Sequence, residues 1–169
     1  IPDHVQKAFV DIEDERFYDP NGIDLKGIVR AGVKGIASGF RKTEGASTIT
    51  QQLLKNSVFT GWMNESSLID RFRRKFQEQY LALQLEKKVS KEQILEDYLN
   101  TINLGAGTYG VQAASRRYFG KSVSELNLSE CAVLAGITQN PTHYNPITHP
   151  EENAVRRQTV LDYMLEQGY

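Results

Sequence analysis

The sequence is poor in the residues that hold small extracellular folds and metal sites together. It has one cysteine, which excludes an internal disulfide, and the apolar run at 132–135 predicts that Cys131 is a small buried side chain. Its three histidines are scattered without metal-ligand spacing and its sole cysteine rules out a thiolate zinc cluster, so we expect no structural zinc site. No apolar run approaches the roughly 20 residues that a membrane-spanning helix needs.

The chain also has no large excess of charge of either sign. Twenty basic and 21 acidic residues leave a formal net charge of −1, so no overall field attracts nucleic acid and any anion site must be local. The glycine-rich stretch 105–110 lacks the strand context of a dinucleotide site. With 169 residues, 40% of them hydrophobic, we expect one domain over 1–169.

Helical periodicity dominates what is present, and it predicts a mostly α fold. An apolar stripe follows a capping box formed by Ser90 and Gln93, which is typical of an amphipathic helix. The stripe consists of Ile94, Leu95, Tyr98 and Leu99. Further helices are expected at 3–14, after Asp24, at 48–56, 66–88, 108–118 and 129–137, and from Pro150 to Gly168, with loops at 38–46 and 57–65.

The octapeptide 45–52 places small, hydroxyl and amide side chains where core packing would favour aliphatic ones. Ser47 or Thr48 at a helix start leaves backbone N–H groups that suit phosphate. Thr48, Gln51 and Lys55 then share one helix face. The alternative is ordinary N-capping by Ser47, which does not explain the amide and lysine that follow.

The predicted helix 66–88 carries a charged and apolar stripe on one face. Its members are Arg71, Lys75, Glu78, Ala82 and Leu85. Glu78 lies where basic residues meet apolar ones, as expected of a functional carboxylate. The alternative is a solvated pair between Arg74 and Glu78, worth a few tenths of a kcal/mol.

Glu13 ends the first predicted helix, directly after Ile12 and before further acidic residues. A carboxylate with apolar neighbours suits a general base that takes a proton from a hydroxyl nucleophile. The alternative is a solvated acidic surface.

Four apolar side chains, Val58, Phe59, Trp62 and Met63, fall in a predicted loop. An exposed cluster of this kind is typical of a membrane or partner contact. The alternative is a loop that folds back over a small satellite core.

Five sequence blocks together resemble the peptidoglycan glycosyltransferase domain (glycosyltransferase family 51) of class A penicillin-binding proteins and of monofunctional transglycosylases. They occur in the family order and cover nearly the whole chain. The blocks are 13–17 with Gly22, 45–52, 74–78, 94–100, and 109–110 through 118–121.

The resemblance implies a lysozyme-like helical domain with a smaller jaw at about 38–70 that contacts the membrane. The implied reaction is inverting transfer from a polyprenyl-pyrophosphate donor, which polymerises lipid-linked disaccharide pentapeptide (lipid II) into β-1,4 glycan strands. The resemblance also implies that the domain lies on the outer face of the bacterial cytoplasmic membrane, anchored by a segment outside this chain. The implied partners are lipid II, the growing glycan, the membrane surface and cell-wall synthesis proteins.

The resemblance also assigns residues. Glu13 matches the general base, and Glu78 matches a second glutamate near the leaving pyrophosphate or a divalent cation. The substrate-binding matches are Arg30, Ser47, Thr48, Gln51, Lys55, Arg74, Lys75 and Asn100. The implied cofactor is Mg²⁺ or Mn²⁺, bound with the pyrophosphate and assisted by Asp14 or Glu78. Two positions depart from the family: Pro20 replaces a histidine and Ala46 replaces a glycine.

Two other functions compete with this interpretation. A lysozyme-like core also supports glycan cleavage with Glu13 as the acid, although Lys55 and Arg30 then have no role. The other alternative is a non-catalytic glycan- or membrane-binding module, which Pro20 alone favours.

Overall fold

The computed structural model describes residues 1–19, 47–58 and 68–169. These parts of the chain are mostly helical, which confirms the predicted fold class. The helices are α1 (Asp3–Glu13), α2 (Ile49–Ser57), α3 (Leu68–Glu86), α4 (Lys91–Thr101), α5 (Val111–Phe119), the 3₁₀ turn Val123–Glu125, α6 (Leu128–Ile137) and α7 (Pro150–Glu166). Within the same residues, β pairing is limited to one antiparallel bridge between Asn103 and Tyr109.

The core is centred on α6, which packs against α1 and α7 while these two also contact each other. This helix is apolar on nearly all sides, as expected for a helix surrounded by others. Cys131 is fully buried in it, and burial raises the pKa of the thiol to about 12. The predicted small buried cysteine is therefore confirmed.

A second group of helices forms around α2, which packs against α3 and α4. The Ser90 hydroxyl caps α4 by accepting from the Gln93 N–H at 3.2 Å, and the four predicted stripe residues are fully buried. The Ser90 cap and the buried face of this helix are thus as predicted, but the predicted capping box is only half formed, because the Gln93 side chain bonds Asp97 Oδ1 at 2.9 Å instead.

The two groups of helices meet where α1 ends and α2 begins. The Ile49 N–H donates to the Asp14 carboxylate at 3.1 Å, so the end of one helix is fixed to the start of the other. Burial raises the pKa of Asp14 above its ordinary value of 3.8, although the bond from Ile49 acts in the opposite direction.

Most predicted helix boundaries are within two residues of the observed ones. The exception is α5, which begins at Val111 rather than 108 because residues before it pair with Asn103 and Gly110 adopts a φ of 85°. The predicted helix after Asp24, the loop at 38–46 and most of the predicted jaw lie outside the described residues. Among the described helices, none combines the length and apolarity needed to cross a membrane.

Candidate active site

One cavity of about 550 Å³ brings together most of the residues that the sequence singled out. Its walls come from the end of α1, from α2 and α3, and from the segments that follow α4 and α6. The charged and polar side chains lining it are Glu13, Ser47, Gln51, Gln52, Lys55, Asn56, Arg74, Lys75, Glu78, Asn103, Thr138, Gln139 and Arg156. Among these described residues, four basic side chains outnumber two carboxylates, so this cavity suits an anion.

Both carboxylate oxygens of Glu13 are held by hydrogen bonds. Gln52 Nε2 donates to Oε2 at 2.6 Å, and the Thr138 hydroxyl makes a short contact with Oε1. The same hydroxyl also lies 2.7 Å from the Ala135 carbonyl, and its one hydrogen serves either acceptor. A carboxylate bonded at both oxygens has little freedom to rotate, so Glu13 faces the cavity in a fixed orientation.

Tyr98 sets the orientation of the Gln52 amide. Its hydroxyl donates to Gln52 Oε1 at 3.1 Å, which turns the amide NH₂ toward Glu13. Tyr98 is completely buried, and burial raises the pKa of its phenol well above 10, with further contributions from Glu13 and Asp14. The phenol therefore stays protonated and remains a donor.

Glu78 is a buried carboxylate, only 1% exposed, that binds two cations. Arg74 Nη1 lies 2.7 Å from Oε1, and Lys75 Nζ lies 3.3 Å from Oε2 and donates to Ser47 Oγ at 3.0 Å. The alternative of a solvated Arg74–Glu78 pair is therefore wrong, because α2 and α3 pack together and exclude water from the carboxylate. The arrangement fixes both basic side chains at the cavity.

The start of α2 is capped by one of the two residues that the sequence offered. Thr48, not Ser47, is the N-cap, and it forms a capping box with Gln51 in which each side chain accepts from the other residue's N–H at 3.2 Å. With the Ile49 N–H bonded to Asp14, three backbone donors at this end already have acceptors. The expected phosphate site at the helix start stays a prediction, with most of its backbone donors already bonded within the protein, and Lys55 near the other end of α2 provides a cation at the cavity.

A second cavity of about 470 Å³ meets the first at Glu13. The two share Ile12, Glu13, Ser47, Gln139 and Arg156. The other lining residues of the second cavity are Asp11, Asp14, Glu15, Arg16, Thr48, Thr159 and Tyr163. The two cavities therefore adjoin at Glu13, and the cavity lined by Lys55, Arg74 and Lys75 is the more basic of the two.

Sequence reasoning missed four residues at this site. Gln52 belongs to the octapeptide and Tyr98 to the apolar stripe of α4, but nothing in the sequence marked either as a support of Glu13. Thr138 stands 125 residues from the carboxylate that it contacts. Arg156 is half-buried, with its Nε buried and without an acceptor in the described part of the chain. Arg156 lies on the same face of α7 as the buried residues Asn153, Val160 and Met164. Helical periodicity in the sequence could therefore have predicted that it faces the interior.

Other predicted site residues are not at the cavity. Asn100 is exposed and does not line it, because the buried face of α4 turns away from the Asn100 side chain. The positions of Arg30, Phe59, Trp62, Met63, Pro20 and Ala46 lie outside the described residues.

The carboxylates named as divalent-cation ligands are both engaged by the protein itself. Asp14 accepts from the Ile49 N–H, and Glu78 is paired with Arg74 and Lys75. Across residues 1–19, 47–58 and 68–169, no three metal-binding side chains cluster. These residues do not fit a cation site made by the protein alone.

Comparison with known proteins identifies the family. The family model described as Transglycosylase matches residues 1–165. The chain belongs to the transglycosylase family. This domain is 51% identical over 177 residues to penicillin-binding protein 1A of Clostridium perfringens strain 13, and 47% identical over 169 residues to penicillin-binding protein 1F of Bacillus subtilis strain 168. Penicillin-binding protein 1A of Clostridium tetani strain Massachusetts is 47% identical over 176 residues.

These matches include all of the transglycosylase domain but only 25%, 22% and 21% of the three relatives. The chain therefore spans about a quarter or less of their length. The family predicted from the five sequence blocks is confirmed, and with it the class of this domain, a peptidoglycan glycosyltransferase of cell-wall synthesis. The roles of individual residues stay predictions.

Proposed function

We propose that this domain joins lipid-linked disaccharides into β-1,4 glycan strands by inverting transfer from a polyprenyl-pyrophosphate donor. The main support is the position of Glu13, at the junction of two cavities of which one is lined by Lys55, Arg74 and Lys75. Each cavity can thereby bring one substrate to the same carboxylate. The growing chain occupies the basic cavity as donor, and lipid II enters the other as acceptor.

In the proposed reaction, Glu13 takes the proton of the acceptor's 4-hydroxyl while that oxygen attacks the donor's anomeric carbon. The new C–O bond forms as the bond from the anomeric carbon to the phosphate oxygen breaks, which inverts the configuration. The lipid pyrophosphate leaves with both electrons of the broken bond. Lys55, Arg74 and Lys75 stabilise the negative charge that develops on it.

Glu78 supports this reaction through its neighbours. Both of its oxygens are paired with cations, so we assign it the role of holding Arg74 and Lys75 beside the pyrophosphate. The same pairing argues against glycan cleavage, which needs a second carboxyl group free to act across the glycosidic bond. Pyrophosphate, by contrast, leaves without a strong acid.

Three further elements of the proposal concern surroundings that the described residues do not include. A divalent cation, Mg²⁺ or Mn²⁺, would be bound mainly by the substrate pyrophosphate and would supply additional charge neutralisation. Phe59, Trp62 and Met63 would contact the membrane. The domain would work on the outer face of the cytoplasmic membrane, held there by a segment beyond this chain and beside other cell-wall synthesis proteins.

The test is incubation of the purified domain with lipid II, where growing polymer supports transfer. Shortened glycan after incubation with preformed strands would indicate cleavage, and no change in either substrate would indicate a binding module. Glu13→Gln should abolish polymer formation, because an amide cannot accept the proton. Glu96→Gln, an exposed carboxylate on α4, is the matched control and should keep normal turnover. Normal polymerisation by Glu13→Gln would refute the assigned base.

A further inference from the structure

The segment between α4 and α5 forms a small hairpin beside the active-site cavity. Two backbone bonds define it: the Gly110 N–H donates to the Ile102 carbonyl at 2.8 Å, and the Leu104 N–H donates to the Thr108 carbonyl at 3.0 Å. These bonds flank the bridged pair Asn103 and Tyr109. The pair is therefore of the non-hydrogen-bonded type, in which the two side chains lie closest and on the same face.

Asn103 connects this face to the cavity. Its side chain lines the cavity, and its Oδ1 accepts from the Gly105 N–H at 2.9 Å, which fixes the orientation of the amide. The Asn103 NH₂ and the Tyr109 hydroxyl make no hydrogen bond within residues 1–19, 47–58 and 68–169. The Tyr109 ring is 65% exposed. An aromatic face and an amide donor are thus adjacent on the hairpin, and the residue that carries the amide also lines the cavity.

The hairpin backbone is held firmly in place. A Cβ at Gly110 would lie 2.4 Å from the Asn100 carbonyl oxygen, and one at Gly105 would lie 2.7 Å from the Pro141 carbonyl oxygen. Both glycines have a positive φ, so the tight contacts and the conformation require glycine. The Tyr118 hydroxyl adds a bond of 2.6 Å to the Leu104 carbonyl. The exposed ring is therefore presented on a rigid turn.

We propose that Tyr109 and Asn103 form a sugar-binding shelf for the glycan strand, beyond the sugar that reacts. The inference rests on the proposed polymerase function. The C–H faces of a pyranose ring carry slight positive charge and stack on the negative face of an aromatic ring. The Asn103 NH₂ donates to a hydroxyl or acetamido oxygen of the same amino sugar. Such a pairing of one apolar surface with one polar contact is typical of small-ligand sites.

The shelf predicts a dependence on donor length. Tyr109→Ala should raise the KM for a lipid-linked hexasaccharide donor by roughly three- to tenfold, and should leave the KM for a lipid-linked disaccharide donor unchanged. The polymer products should also become shorter. Tyr109→Phe keeps the ring and should behave as the unmodified domain, and Tyr80→Ala, another exposed tyrosine, is the matched control.

A binding measurement separates this inference from the polymerase function. Titration of the domain with a lipid-free glycan hexasaccharide should shift the backbone amide resonance of Gly110, and Tyr109→Ala should remove that shift. If the unmodified domain makes no polymer but shows the shift, the polymerase proposal fails and the shelf stands. A KM for the hexasaccharide donor that is the same in Tyr109→Ala as in the unmodified domain, or a Gly110 resonance in the unmodified domain that the hexasaccharide does not shift, would overturn the shelf.

Discussion

Replacing Thr138 with valine tests whether the orientation of Glu13 matters for catalysis. Valine has nearly the shape of threonine but lacks the hydroxyl that contacts Glu13 Oε1. The Gln52 bond to the other oxygen, at 2.6 Å, remains in the variant. Glu13 is then held at one oxygen only and can rotate about its terminal torsion.

The size of the effect follows from what the hydroxyl contributes. A hydrogen bond to a charged group is worth about 1.5–3 kcal/mol. The Thr138 hydrogen is also within reach of the Ala135 carbonyl, so the lower end of that range applies. Since about 1.4 kcal/mol corresponds to tenfold in rate, we expect kcat for lipid II polymerisation to fall about tenfold in Thr138→Val.

The assay compares kcat for Thr138→Val and Thr138→Ser on the same lipid II preparation. Serine retains the hydroxyl and should keep most of the activity, whereas valine should not. Thermal melting of both variants shows whether either has lost folded protein. Wild-type kcat in Thr138→Val, or an equal loss in both variants, would refute the argument that this hydroxyl positions the base.

Two further predictions concern stability and reactivity. Because Cys131 is buried and its pKa is about 12, a disulfide reagent at pH 8 should leave the native thiol unmodified and label it after denaturation; rapid native labelling would contradict this. The raised pKa of Asp14 means that the folded state binds its proton more tightly than the unfolded chain does. The contribution of Asp14 to the free energy of unfolding therefore declines as pH rises from about 3.8 through the folded-state pKa. Urea titrations at several pH values should show this decline in the unmodified domain and not in Asp14→Asn. The same pH dependence of the unfolding free energy in both proteins would contradict it.

Local sequence signals predicted the helices well. The cap at Ser90 and the apolar stripe of α4 are both local features, and the structure shows each of them as expected. The start of α5 could not be predicted from such local signals. There, pairing between Asn103 and Tyr109 overrides the helical pattern, and such pairing depends on a turn of backbone with positive φ.

The candidate site could be predicted in outline but not in its contacts. Glu13 and Glu78 were both named from the sequence, and both line the cavity. The burial of Glu78 depends on the packing of α2 against α3, which its own helix does not specify. The capping box of Thr48 and Gln51 is a local sequence pattern. Gln52 points about 100° away from Gln51 on the helix, and only tertiary packing decides that it faces the base.

The bond between the Ile49 N–H and Asp14 joins positions 35 residues apart and closes a ring of covalent chain. Because this closure lies directly after Glu13, it holds the start of α2, and with it Gln52, beside the base. One tertiary bond at the ends of the ring therefore assembles the proton-accepting centre from parts of the chain that are far apart in sequence.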